Sequence, residues 1–145
     1  MASHPSFNVS LVTPAGSVFE GEAEMIVVPG AAGGIGVLAR HAPLEAMLEA
    51  GTTRISLPGG ELLELVTGPG FFEVRSDQVL VLVDDAAEVR AIDAGQASEQ
   101  LETARAELEA LDRGEIEGDR WRIEQRIRHA EQKLAAVTSR SGAAG

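Results

Sequence analysis

Glycine and proline interrupt the first 90 residues of this 145-residue chain so often that long helices are excluded there. The apolar runs between them are short, and residues 7–11 alternate apolar and polar side chains, as a half-buried strand does. Pro58-Gly59 suits a type II turn, because proline presets φ and glycine supplies the positive φ. Short strands at nearly regular spacing predict an antiparallel β-sandwich or barrel of about eight to ten strands over residues 1–90.

Two apolar stripes with helical spacing follow residue 91. Their members recur at alternating steps of four and three residues, namely Ala97, Leu101, Ala104, Leu108 and Leu111, and then Ile123, Ile127, Ala130, Leu134 and Val137. Asp93 can cap the first helix, with Gln96 completing a capping-box pattern, and the second helix should begin near Asp119. The glycine-containing segment 112–118 predicts an antiparallel helical hairpin over residues 91–138, followed by a flexible tail at 139–145. Because the stripes are narrow and rich in alanine, we expect the hairpin to be less stable than the sandwich.

Charge and cysteine content exclude several classes of function. A net charge of -11 argues against nucleic-acid binding, and a chain without cysteine has neither disulfides nor thiolate chemistry. No apolar run is long enough to span a bilayer, so we expect a soluble chain in a cytoplasmic compartment. The last 26 residues are nevertheless basic, through Arg120, Arg122, Arg126, Arg128, Lys133 and Arg140. This pattern indicates an acidic partner or the chain's own acidic part, and a merely solvated helix face is the alternative.

A glycine motif at residues 34–39 fits the dinucleotide-binding pattern G-x-G-x-x-A, and His41 follows it. That fingerprint requires a helix directly after the glycines, but Pro43 disfavours one here, so a glycine-permitted bend between strands is the better interpretation. His41 has no candidate acid, base or metal-ligand partner at a recognisable spacing, and we interpret it as a structural or interface residue. The acid pairs Glu22/Glu24 and Asp84/Asp85 are interpreted as solvated strand ends. The sequence therefore predicts no catalytic residue, no cofactor and no metal site.

Taken together, a β-sandwich followed by a helical hairpin resembles the epsilon subunit of the F-type ATP synthase. Residues 33–38, then His-Ala-Pro-Leu at 41–44 and Gly51, are similar to that family's G-x-x-G-[IV]-[LY]-P-G-H-A-P-L…G signature. Residues 68–74 followed by 79–84 are similar to its G-G-x-x-E-V…V-x-V-L-x-D strand pair. One departure is Ala39-Arg40, which stands where the family has Pro-Gly.

The resemblance implies a non-catalytic rotor subunit of the central stalk, peripheral to the cytoplasmic face of a bacterial plasma membrane rather than a thylakoid. It implies that the bend with Gly30, Gly33, Gly34 and Gly36 faces the c-subunit ring, and that Arg40 and His41 face the gamma subunit. It also implies that the hairpin can detach and inhibit ATP hydrolysis. The basic side chains would then meet an acidic loop of the catalytic alpha and beta subunits, through Arg120, Arg122, Arg126, Arg128 and Lys133.

A second hypothesis makes the hairpin a nucleotide-sensing module. Some members of the family bind ATP through Ile/Leu-Asp-x-x-Arg-Ala, but residues 92–97 place Gln96 where that arginine stands. The weak candidates for such a site are Asp93, Gln96, Arg126, His129 and Lys133. Because a lost guanidinium removes charge-assisted donors to phosphate, we expect ATP binding to be absent or millimolar. An enzyme that uses His41 is a third and remote hypothesis.

Overall fold

The computed structural model describes residues 4–144, in which ten strands are followed by a 3-10 turn and two helices. The bounds are β1 (Phe7–Thr13), β2 (Gly16–Ala23), β3 (Met25–Gly30), β4 (Gly33–Leu38), β5 (Leu44–Leu48), β6 (Gly51–Ser56), β7 (Leu62–Thr67), β8 (Gly70–Arg75), β9 (Gln78–Val83), β10 (Ala86–Glu88), the turn (Val89–Ala91), α1 (Ala94–Asp112) and α2 (Arg120–Ala144). This architecture confirms the predicted β domain followed by a helical hairpin.

The strands form two layers of one continuous sheet. One layer has the order β5-β8-β9-β1-β2 and the other β10-β7-β6-β3-β4, and a single pairing of Gly30 with Leu48 joins them. Among the strand pairs of residues 4–144, β1 and β9 run parallel and all others antiparallel, so the predicted antiparallel sandwich contains one parallel pair. Parallel neighbours need a long connection, and here the whole segment 14–77 connects them.

Alternation along the strands produces the core between the two layers. The buried positions of β1 are Phe7, Val9 and Leu11, and the residues between them are half-buried or exposed. Ile26 and Ile55 meet them from the opposite layer, completely buried. Successive side chains of a strand point to opposite faces, so a two-residue period places one face inside.

The glycine motif forms a tight hairpin. Gly30 pairs with Gly33 across two loop residues, and the segment 33–38 is strand β4. A Cβ on Gly30 would lie 2.6 Å from the carbonyl oxygen of Gly33, which is closer than side chains approach. The predicted bend between strands is thus found between Gly30 and Gly33, whereas Gly34 and Gly36 of the motif lie in β4, and no helix follows them to hold a phosphate.

Local signals account for the ends of both helices. The Asp93 carboxylate accepts a hydrogen bond from the Gln96 N–H at 3.0 Å, as the capping pattern predicts. At its other end α1 closes in a Schellman motif, with Gly114 at φ 74 and the Glu115 N–H donating to the Ala110 carbonyl at 2.9 Å. The Asp119 carboxylate then caps α2 by accepting from the Trp121 N–H at 3.0 Å.

Helix α2 is longer than the sequence pattern indicates. It continues to Ala144, so residues 139–144, predicted as a flexible tail, are helical, and Gly145 lies outside the described residues. Arg140 holds this last part in place by donating to the carbonyls of Val89 at 2.8 Å and Ile92 at 3.3 Å. Neither helix in the described part of the chain is long and apolar enough to cross a membrane.

Candidate functional site

Helix α2 docks the hairpin on the outer face of β6 and β7. Val66 points away from the sandwich core yet is completely buried, because this face is the one that α2 covers. Two glutamines seven residues apart on α2 hold the backbone of Ala50, a residue between β5 and β6. The Ala50 N–H donates to Gln125 Oε1 at 2.9 Å, and Gln132 Nε2 donates to the Ala50 carbonyl at 3.2 Å. The docking is thus directional as well as apolar.

An ion cluster joins the same helix to the β9–β10 connection. Asp85 Oδ2 lies 2.7 Å from His129 Nε2 and 3.0 Å from Lys133 Nζ, and Lys133 also donates to Gln100 on α1 at 3.1 Å. The side chains of His129 and Lys133 are only 11% and 9% exposed, whereas that of Asp85 is 52% exposed. The hydrogen bonds from His129 and then Lys133 hold the pKa of Asp85 well below its usual range.

The neighbouring Asp84 has the opposite electrostatic environment. Burial raises its pKa, and the charge of Asp85 adds to that effect, while His129 partly offsets it. Asp84 and Asp85 remain partly solvent-exposed after the end of β9, as the sequence predicts, but Asp85 also makes contacts that the sequence does not reveal. Its carboxylate accepts hydrogen bonds from two side chains of the hairpin, the imidazole of His129 and the ammonium of Lys133. The sequence lacks a signal for this pairing, because 44 residues separate Asp85 from His129.

Every basic residue of α2 has a partner within the chain. Arg120 contacts Asp112, and Arg126 makes two hydrogen bonds to Glu107, at 3.1 and 2.5 Å, which raise the pKa of Arg126 and lower that of Glu107. Arg128 reaches Glu49 of the sandwich at 3.0 Å. Arg122 is the weakest case, since it is 80% exposed and lies 3.7 Å from Asp119 of its own cap. The basic set predicted to meet a partner is thus neutralised in the docked hairpin.

The structure brings four of the five ATP candidates into one cavity. Gln96, Arg126, His129 and Lys133 line a cleft of about 550 Å³ between the hairpin and the β9–β10 connection, whereas Asp93 caps α1 instead. Asp84, Asp85 and Glu99 also line it, so acidic and basic groups are balanced. Within the described lining each cation is already paired with a carboxylate of the chain, and this disfavours a polyphosphate ligand.

The predicted partner residues near the glycine motif lie on the surface. Gly33, Gly34, Gly36, Arg40 and His41 are exposed, while Gly30 is buried inside the β3–β4 hairpin. His41 Nδ1 lies 2.7 Å from the Ala42 carbonyl. Among residues 4–144, no group of three or more His, Asp or Glu side chains is arranged to hold a metal ion.

An apolar row on the outer face of the first layer is a site that sequence reasoning missed. Cross-strand pairing aligns Met47, Phe71, Leu82 and Val12 across β5, β8, β9 and β1. Met47 is 62% and Leu82 41% exposed, although both belong to strands. The unbroken apolar segment 79–83 was the available signal, because a strand with one solvated face should alternate.

An acidic row borders this apolar row on the same face. Glu45 on β5 pairs with Glu73 on β8. The same row continues through Leu80 on β9 and Ser10 on β1 and ends at Glu20 on β2. The tip of the β3–β4 hairpin adjoins the β5 end of the apolar row, since the Ala31 N–H donates to the Met47 carbonyl at 3.0 Å. An exposed apolar patch with a polar rim is typical of a protein–protein interface.

Comparison with known proteins agrees with this arrangement. Residues 6–89 match the family model of the ATP synthase delta/epsilon chain β-sandwich domain. An ATP synthase epsilon chain of Halalkalibacterium halodurans is 35% identical over 141 residues, which cover 97% of this chain and 98% of that protein. One of Macrococcus caseolyticus is 41% identical over 101 residues, covering 69% and 74%.

A solved structure with a similar fold extends the likeness to the hairpin. A chain in the OSCP/F1/c-ring structure of Euglena gracilis mitochondrial ATP synthase superposes with a TM-score of 0.71 at 23% identity, covering 94% of this chain and 84% of that one. A chain in the central stalk and c-ring structure of Tetrahymena thermophila mitochondrial ATP synthase gives a TM-score of 0.54 at 13% identity, covering 97% and 99%. At these identities the superpositions show the fold alone.

Proposed function

Because this chain belongs to the ATP synthase epsilon chain family, we propose that it is a non-catalytic rotor subunit that connects a gamma subunit to a c ring and inhibits ATP hydrolysis through its hairpin. In this proposal it works at the cytoplasmic face of a bacterial plasma membrane, held there by its partners. The partner subunits bind the sandwich, and the hairpin is the part that detaches from it.

The exposed apolar row carries the docking half of the proposal. The row brings together the exposed side chains of Met47 and Leu82 and the half-buried side chain of Phe71. Adjacent apolar side chains at the surface are typical of a site that a partner protein covers. The acidic row beside it favours a partner that presents apolar side chains flanked by basic ones. We propose that this partner is the gamma subunit and that the adjoining β3–β4 tip contacts the c ring.

The pairing of the basic side chains supports the regulatory part of the proposal, in which the hairpin inhibits ATP hydrolysis. In the docked hairpin, Arg126 and Arg128 are occupied by Glu107 and Glu49, so they do not offer a free cationic surface. Detachment would break the contact between Arg128 and Glu49 and leave α2 with a basic side suited to an acidic loop. The proposed contact is with the acidic loop of the catalytic alpha and beta subunits.

A charge placed in the apolar row tests the docking surface. Met47→Asp and Leu82→Asp should each weaken binding to purified gamma subunit by about tenfold or more, because an unpaired carboxylate would be desolvated in the contact. Leu62→Asp is the matched control, since Leu62 is 51% exposed on the other layer. Equal binding by all three variants, with circular dichroism showing intact sandwiches, would rule out this surface.

The nucleotide-sensing hypothesis has its own measurement. Since Lys133 and His129 share Asp85 and Arg126 is bound by Glu107, we expect calorimetric titration with ATP to show no binding or a millimolar dissociation constant. A micromolar constant would contradict this expectation and would make the cleft a ligand site. Gln96→Arg, which introduces the arginine of the family motif, should strengthen any binding that exists.

A further inference from the structure

The contact between Asp85 and α2 places two buried side chains of the hairpin, the ammonium of Lys133 and the imidazole of His129, on a single carboxylate of the sandwich. Lys133 and His129 both reach Asp85 Oδ2, and they are one helical turn apart on α2. A lysine ammonium that is 9% exposed requires a charge partner, since burying an unpaired ammonium costs several kcal/mol. The carboxylate therefore determines whether this side of α2 can stay buried against the sandwich.

The cleft around the cluster has the donor set of an oxyanion site. Arg126, His129 and Lys133 line it on the α2 side, and Gln96, Gln100 and Gln125 add amide groups. Hydrogen-bond donors that converge on one point, with a charged group among them, are the usual recognition element for carboxylates and phosphates. Here that point is occupied by a carboxylate of the chain itself.

The surroundings of the cluster contain further charged groups that could substitute for Asp85. Asp84 and Glu99 line the same cleft, and Glu107 is bound by Arg126. Asp84 is the adjacent residue, but its carboxylate points to Gly68. One of its oxygens lies so close to Gly68 that a Cβ on that residue would collide with it. Only Asp85 is placed within hydrogen-bonding distance of both His129 and Lys133 among the described residues.

We propose that Asp85 acts as a built-in anionic ligand, which fills an oxyanion site formed by His129 and Lys133 and so holds the hairpin docked without any external ligand. Two consequences follow. Removing the carboxylate should release the hairpin, and a small oxyanion should then bind in its place and restore docking. The inference goes beyond the rotor function, because it concerns docking within the isolated chain and can fail or succeed whichever partners the chain has.

Hydrogen–deuterium exchange of the full-length chain tests both consequences. In Asp85→Ala, amides of α1 and α2 should exchange about tenfold faster or more, because the buried ammonium of Lys133 loses its counter-charge and His129 loses its hydrogen-bond partner, while sandwich amides keep their protection. Adding inorganic phosphate at millimolar concentration, at constant ionic strength with chloride, should restore hairpin protection in this variant. The parent chain should not respond to phosphate.

Asp84→Ala is the matched control, since it removes the same charge one residue away from the cluster. We expect it to keep hairpin protection and to ignore phosphate. Unchanged protection in Asp85→Ala would overturn the proposal, and so would lost protection that phosphate fails to restore, because Asp85 would then act by packing alone. If the sandwich amides of Asp85→Ala also lose protection, the isosteric Asp85→Asn is measured under the same conditions and decides by the same two criteria.

Discussion

Arg40 adopts a backbone conformation that side-chain-bearing residues rarely take. Its φ is 63°, and its N–H donates to the Asp77 carboxylate at 2.6 Å. The resemblance noted above places a glycine at this position, and the left-handed φ explains why glycine suits it. The hydrogen bond from a distant turn compensates for part of the strain. At this position the backbone has the left-handed conformation that glycine adopts most easily, but the residue is an arginine.

Arg40→Gly should therefore stabilise the sandwich. A left-handed φ costs a non-glycine residue about 1–2 kcal/mol, and glycine loses about 0.4–1 kcal/mol through the entropy of the unfolded chain. We expect a net gain of about 0.5–1 kcal/mol, measured as a higher midpoint in urea unfolding. Ala39→Gly, one residue earlier and without a positive φ, should lower the midpoint. An unchanged or lower midpoint in Arg40→Gly would contradict the strain.

Asp84 and Asp85 are adjacent, but folding raises the pKa of Asp84 and lowers the pKa of Asp85. The direction of each shift gives the sign of its effect on stability. The folded-state pKa of Asp85 is lowered, so its charge stabilises the docked chain above its ordinary pKa of about 3.9, and this contribution is lost as the pH falls through the lower folded value. The pKa of Asp84 is raised by burial, so its charge is unfavourable at neutral pH, and the penalty disappears on acidification.

Two asparagine variants separate these effects. At pH 7, Asp85→Asn should lower the free energy of hairpin opening, and Asp84→Asn should leave it unchanged or raise it. The difference between Asp85→Asn and the parent should shrink progressively as the pH falls below about 4, because the carboxylate of the opened state then takes up a proton while the docked carboxylate stays ionised. Hydrogen exchange between pH 7 and pH 3 measures both, after correction for the intrinsic exchange rate. A difference for Asp85→Asn that is independent of pH would contradict the assignment.

The hairpin is an element whose attachment to the sandwich depends on a few polar contacts. The α1 stripe is buried at Ala97, Leu101 and Ala104 but only half-buried towards the loop. Towards the sandwich, α2 buries Gln125 as fully as it buries Ile123. Small side chains contribute little apolar area, so directional contacts determine where the hairpin sits and how readily it leaves.

Gln125→Leu should weaken docking without unfolding the sandwich. The leucine has a similar size but cannot accept from the buried Ala50 N–H, and an unsatisfied buried donor costs about 1–3 kcal/mol. Hydrogen exchange should show faster opening of α2 and unchanged protection of β1 and β9. Gln96→Leu, the same change at an exposed position of α1, is the control and should leave both unchanged. Equal protection in the two variants would show that the glutamine contact is dispensable.

The sequence predicts these elements well and their contacts poorly, for a physical reason. Periodicity is local, so the strands, the stripes and the Asp93 cap can be derived from neighbouring residues. The parallel pairing of β1 with β9 and the contact of Asp85 with His129 are set by the path of the whole chain. Gln125 and Gln132 resemble ordinary polar positions of an amphipathic helix. Their role depends on Ala50, a residue 75 positions away from Gln125.

Across the whole molecule, the basic side chains of α2 find partners both inside the hairpin and on the acidic sandwich, which Arg128 and Lys133 reach through Glu49 and Asp85. The chain carries 23 acidic and 12 basic residues, and the six basic ones of α2 are paired with their own chain. In the proposed function, inhibition of hydrolysis requires the same side chains to find acidic partners elsewhere. Docking and inhibition therefore compete for the charges of Arg128 and Lys133. Substituting Arg128 would change both, because Arg128 also holds the docked hairpin through Glu49, whereas Arg126 pairs with Glu107 inside the hairpin.

Arg122 separates the two roles, since it is 80% exposed and contacts only the cap of its own helix, at 3.7 Å, among the described residues. Arg122→Ala should relieve inhibition of ATP hydrolysis in the assembled enzyme by up to about fivefold, the worth of one exposed ion pair. Hairpin exchange in the isolated chain should stay unchanged. Arg75→Ala, an exposed arginine on β8, is the control for lost charge. If neither Arg122→Ala nor the combined substitution of Arg122, Arg126 and Arg128 alters hydrolysis, the basic side of α2 does not act as the inhibitory surface, and the hairpin must act through its other contacts.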